Sequence, residues 1–148
     1  MLTEKFLSIA LFGIEPVLWI LILMSFVAIT VIIERAFVYA SVQKNFQSMD
    51  IYTLRLILEK RIGILATFGN NAPFIGLFGT VLGVIQAFHI IANKSSFAVD
   101  LIMQGVSEAL VATAAGLFVA IPCVIAYNYF VKKLKMMLIE HESKNHAA

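Results

Sequence analysis

An all-α integral membrane protein with three transmembrane helices is the fold class this sequence predicts. Hydrophobic residues make up 61% of its 148 positions and charged residues 14%, against roughly 45–50% and 25% in ordinary globular domains. Mean hydropathy is accordingly high, at +0.93. The apolar residues gather into three stretches long enough to cross a bilayer, and most Lys and Arg fall in the segment after the first stretch and in the segment after the third. A chain of this length with three spans leaves no room for a separate globular domain with a sizeable core.

The elements follow in order. Across residues 1–15, Leu2, Phe6, Ile9 and Gly13 recur at helical spacing ahead of Glu15 and Pro16, which predicts a short amphipathic segment on the outer surface. Residues 16–35 form the first span. No charge occurs between Pro16 and Ile33, close to the roughly 20 residues that cross about 30 Å of hydrocarbon. Glu34 and Arg35 close it, and no small-residue cleavage pattern precedes Glu34, so an uncleaved span is expected rather than a signal peptide. In residues 36–71, Asp50 stands where it can cap a helix bearing Ile51, Leu54, Ile57, Leu58 and Leu65, with Arg55, Glu59 and Lys60 between them. Such an amphipathic helix is expected to pack against the inner end of the third span.

The second span, residues 72–92, is expected to open at Asn70, Asn71, Ala72 and Pro73, where Asn can cap and Pro suits a first turn. A turn over residues 93–100 leads to the third span, residues 101–131. From Asp100 to Lys132 a continuous helix is about 48 Å long, so part of it should project into water. Lys132, Lys133 and Lys135 mark that boundary, and residues 132–148, with His141 and His146, read as a solvated tail. Arg35, Lys44, Arg55, Lys60 and Arg61 lie between spans one and two, and Lys132, Lys133, Lys135 and Lys144 in the tail, whereas only Lys5 and Lys94 lie on the other side. The positive-inside rule then places the N-terminus outside and the C-terminus in the cytoplasm.

Small residues form two stripes. Gly76, Gly79 and Gly83 share one side of the second span, and Gly105, Ala109, Ala112, Thr113, Gly116 and Ala120 one side of the third. In lipid such stripes let helix backbones approach closely, within a subunit or between subunits. Glu108 stands out against this background. It is the only charged side chain from Leu101 to Val131, where a carboxylate costs about 3 kcal/mol on insertion scales. Desolvation disfavours its ionised form, so such a group is suited to take up a proton from one side and release it to the other. Thr80 and Thr113 are further polar groups in the spans, although a threonine hydroxyl can simply bond its own helix. His89 reads as interfacial, and the lone Cys123 as a small buried hydrophobe.

No soluble-enzyme chemistry is indicated: there is no phosphate loop, no Cys/His ligand spacing and no nucleophile–base constellation, hence no metal or cofactor expectation. The few scattered basic residues do not make a nucleic-acid surface. On the residues alone, a small proton-coupled transporter using Glu108 and a non-conducting membrane scaffold both stay open.

Two blocks then carry a resemblance. Residues 72–83, Ala-Pro-Phe-Ile-Gly-Leu-Phe-Gly-Thr-Val-Leu-Gly, and residues 108–117, Glu-Ala-Leu-Val-Ala-Thr-Ala-Ala-Gly-Leu, continuing through Ala120-Ile121-Pro122 to Tyr127-Asn128, resemble the signature of the MotA/TolQ/ExbB proton channel family. Together they cover residues 72 to 128 in the family's order and spacing, and the N-out topology with three spans is that of its ExbB and TolQ branch. The absence of a large cytoplasmic domain and of an additional span sets the chain apart from MotA. The resemblance implies a bacterial inner-membrane subunit of a homo-oligomeric ring, a pentamer, whose second and third helices form the inner wall. It implies an ExbD-like or TolR-like single-span partner with an intramembrane Asp inside the ring, and a TonB-like or TolA-like energy transducer. Thr80, Glu108 and Thr113 match the family's polar pore-lining positions, and the wording of the blocks is nearer ExbB than TolQ.

Overall fold

Helix α1 (Glu15–Val42), a 3₁₀ turn (Phe46–Ser48), α2 (Ile51–Glu59), α3 (Ile62–Asn93) and α4 (Val99–His146) follow one another along the chain. The structure, a computed structural model, describes residues 13–93 and 99–146 together with Lys5. The expected outer-surface segment through Leu2, Phe6 and Ile9, and most of the turn before α4, lie outside the described residues. Three helical stretches, Glu15–Val42, Ile51–Ala92 and Val99–Ser143, are long and apolar enough to cross a membrane. The all-helical architecture fits a membrane protein.

Each long helix buries one seam. In α1 the buried residues Val17, Leu21, Met24, Ala28, Val31, Arg35 and Tyr39 recur at steps of three and four, while Trp19, Leu23, Phe26 and Phe37 on the other faces are exposed. An apolar helix with an apolar exposed face is suited to lipid, not to water. Gly13 (φ 76°) breaks the chain just ahead of α1, in a conformation that a side chain would strain.

Helices α3 and α4 pack most extensively on one another, and the small-residue stripes are the reason. A Cβ added at Gly116 would meet the Ala72 carbonyl oxygen at 2.6 Å and the Gly76 Cα at 3.0 Å, and one at Gly76 would meet the Ala112 carbonyl oxygen at 2.7 Å. Backbone lies on backbone at this crossing. Further along, Gly83 sits against Ala109 and Ile14, and Gly105 against Ala87. Ala109, Ala112 and Ala120 are buried. Gly76, Gly79, Gly83, Gly105 and Gly116 thus have close neighbours within the same chain.

At the other end, α2 lies across α4. Leu54 and Leu58 are fully buried in one core with Phe130, Leu134 and Met137. The Asp50 carboxylate accepts from the backbone N–H of Tyr52 at 3.1 Å and of Thr53 at 3.3 Å, which is the expected cap. Arg35, 3% exposed, donates to the Ile57 carbonyl at 3.0 Å and to Glu34 at 2.7 Å. Arg61 reaches the second oxygen of Glu34 at 2.5 Å, and the Tyr39 hydroxyl donates to the Leu58 carbonyl at 3.1 Å. These bonds tie α1 to α2 and to the turn that follows.

Three expectations need correction. Leu65 does not continue α2: Arg61 (φ 63°) interrupts the helix, and Leu65 is buried in α3. The second long helix opens at Ile62 rather than at Asn70–Pro73. Pro73 lies inside it, where its ring has no N–H to give the Gly69 carbonyl. Asn71 is no cap either, its side-chain amide donating back to the Thr67 carbonyl at 2.7 Å. Last, the supposed tail is helical as far as His146. Leu134, Met137 and His141 recur at helical spacing and are buried, and the His141 Nε2 lies 2.8 Å from the Met49 carbonyl oxygen. Charged residues at 132, 133 and 135 hid an apolar seam on the opposite face.

Candidate functional site

Thr80 and Thr113 meet between α3 and α4. Gly76 and Gly79 on one helix and Ala109 and Ala112 on the other bring the backbones close enough for two short side chains to touch, and the hydroxyls are hydrogen-bonded to each other. Thr80 also lies 3.1 Å from the Ala109 carbonyl oxygen. Each hydroxyl has one proton, and both are satisfied when Thr113 donates to Thr80 and Thr80 donates to the Ala109 carbonyl. Both side chains are part-buried. The pair can accept and donate in turn, as a relay requires, and it also fixes the register of the two helices.

Glu108 is elsewhere on α4. Thr113 is five residues on, about 140° around the helix axis at 100° per residue, so the carboxylate does not share the face of the hydroxyl pair. The sequence reading grouped the three; the helix separates them into two polar positions. The Glu108 side chain is exposed, and its Oε1 accepts from the Gln104 amide nitrogen at 3.0 Å. A cavity of about 220 Å³ is lined by Glu108, Gln104 and Gln86 among apolar neighbours that include Ile14 and Ala87. A second, of about 370 Å³, shares Glu108, Gln86 and Ile14 and adds Glu15 from the start of α1.

Gln86, Gln104 and Glu15 were therefore missed as neighbours of Glu108. Gln104 had a signal, since it lies four residues before Glu108 and such pairs stand on one helix face. Gln86 and Glu15 had none, because α1 and α3 reach this region only through the tertiary fold. Cys123 is fully buried in the main core.

Similarity to known proteins agrees with the two sequence blocks. The sequence model of the MotA/TolQ/ExbB proton channel family matches residues 33–143. The "Biopolymer transport protein ExbB" of Aquifex aeolicus is 45% identical over 124 residues, covering 83% of this chain and 82% of that protein. A "Putative biopolymer transport protein ExbB-like 2" of Helicobacter pylori is 37% identical over 130 residues, 85% of this chain and 83% of that protein. The "Tol-Pal system protein TolQ" of Haemophilus influenzae is 39% identical over 108 residues, 72% of this chain and 46% of that protein.

Proposed function

The chain belongs to the MotA/TolQ/ExbB proton channel family, and from that premise we propose that it is an ExbB-like proton-channel subunit of a motor in the bacterial inner membrane. In this reading several copies, five by analogy with the family, form a ring with the N-terminus in the periplasm and the C-terminus in the cytoplasm. The second and third spans, α3 and α4, line its inner wall. The ring encloses the single helices of an ExbD-like partner, whose intramembrane Asp exchanges protons with the ring, and the assembly energises a TonB-like transducer for uptake across the outer membrane.

The observation that carries the proposal is Glu108, a carboxylate within a long apolar helix, opening onto a cavity that also holds Gln86 and Gln104 rather than buried in an ion pair. Thr80 and Thr113 supply the second polar position, a pair of hydroxyls between the two lining helices. A proton moving down a membrane potential releases about 2.3 kcal/mol per 100 mV, so a single transfer can bias a step of a few kcal/mol. High identity over most of both chains supports the ExbB branch, and the TolQ relatives keep a Tol-Pal role as the alternative.

The test is Glu108→Gln in the assembled complex. The complex should form, because the exposed Glu108 side chain holds no packing contact that Gln cannot keep, while TonB-dependent uptake and proton flux in proteoliposomes fall by at least about tenfold. Intact uptake in that variant sinks the proton-site reading and favours a scaffold. Export of a cationic drug by the chain alone, without any partner, favours a transporter.

A further inference from the structure

The polar surroundings of Glu108 include Gln104 and Gln86, which lie outside the two sequence blocks of residues 72–83 and 108–117. The Gln104 amide donates to one oxygen of the carboxylate at 3.0 Å. Gln86 reaches the same cavity from α3. The remaining walls are apolar or small, with Ile14, Gly83 and Ala87 among them. A volume of about 220 Å³ exceeds the room one water needs, and the two amides and the carboxylate supply the two to four polar partners that an ordered water requires. Resting on the reading of Glu108 as the proton site, we propose that Gln104 is its positioning residue, holding the carboxylate at the mouth of a water-holding pocket shared with Gln86 between α3 and α4 of the same subunit.

The pocket has a definite electrostatic setting. On α4, Gln104 is a neutral donor to the carboxylate. From α3, Gln86 is also neutral, and His89 lies beyond it without lining either cavity. From α1, Glu15 lines the adjoining cavity and is the other titratable group among the described residues there.

The experiment uses the full chain in bilayer vesicles. Protonation of Glu108 is followed by infrared difference titration, its carboxyl band identified by its loss in Glu108→Gln. Gln104→Met removes the donor without adding charge, and the midpoint of the pH profile should move up by about one pH unit, the size expected for one lost hydrogen bond to a charged group that remains partly solvated. Gln104→Glu, which adds a like charge, should move it further in the same direction. Gln104 is exposed, so neither substitution disturbs the core. In wild type the carboxyl proton should exchange with deuterated water within the mixing time, as a hydrated pocket requires.

An unchanged midpoint in both variants overturns the positioning role, and a carboxyl that resists exchange overturns the water-holding pocket. The underlying reading fails separately: if Glu108→Gln conducts protons like wild type, Glu108 is not the proton site, whatever Gln104 does to its titration.

Discussion

Two charged positions of this molecule are handled in opposite ways. At the Arg35 end, the guanidinium is buried between α1 and α2, with a carbonyl and a carboxylate as partners and Arg61 completing the ion-pair network. At the Glu108 end, the carboxylate is exposed, held by one neutral amide and open to a cavity. Removing a partner from a buried charge is expensive, so the first arrangement locks a geometry. The second holds its carboxylate by a single neutral bond, which suits the proton site proposed for it. Burial and partner number, rather than the presence of charge, separate the two positions.

Stability measurements sharpen this contrast, in descending order of effect. Arg35→Ala should cost about 3 kcal/mol in reversible unfolding from mixed micelles, because the Ile57 carbonyl loses its donor, Glu34 keeps only Arg61, and the buried stem leaves a void. A loss below about 1 kcal/mol would break the comparison, since Arg35 would then be no anchor. Thr113→Val should cost about 1 kcal/mol, the order of one internal hydrogen bond, as Thr80 keeps the Ala109 carbonyl as acceptor. Asp50→Ala should cost a little less, about 0.5–1 kcal/mol, by uncapping α2 at an exposed position; circular dichroism melts can resolve it. Glu108→Gln should change stability by less than about 0.5 kcal/mol while reducing proton flux, and a large loss of stability there would make Glu108 an anchor like Arg35.

The legible part of the fold was what local pattern carries. Three apolar stretches, the Asp50 cap and the amphipathic face with Leu54 and Leu58 were all readable, because lipid demands long apolar helices and a cap requires only a side chain at one position. Boundaries were less legible. Asn70, Asn71 and Pro73 gave a helix-start pattern inside a helix that had begun at Ile62, and Lys132, Lys133 and Lys135 masked the seam through Leu134, Met137 and His141. In both places a polar local signal competed with burial against another helix, and burial decided.

For the candidate site the same division holds. Glu108, Thr80 and Thr113 are conspicuous in sequence because polar groups are costly in apolar helices. Their arrangement is not, since a five-residue offset turns Glu108 away from the hydroxyl pair while the glycine stripe brings Thr80 onto Thr113.

The sequence by itself thus determined the membrane-fitting class, the family and the identity of the polar groups, since each rests on composition, periodicity or two contiguous blocks. Only the tertiary structure decided which groups meet: Thr80 with Thr113, Gln86 and Glu15 at the cavities beside Glu108, and Met49 with His141. These partners come from elements far apart in the chain, and their approach depends on backbone contacts such as Gly76 against Gly116, whose pairing no local pattern specifies.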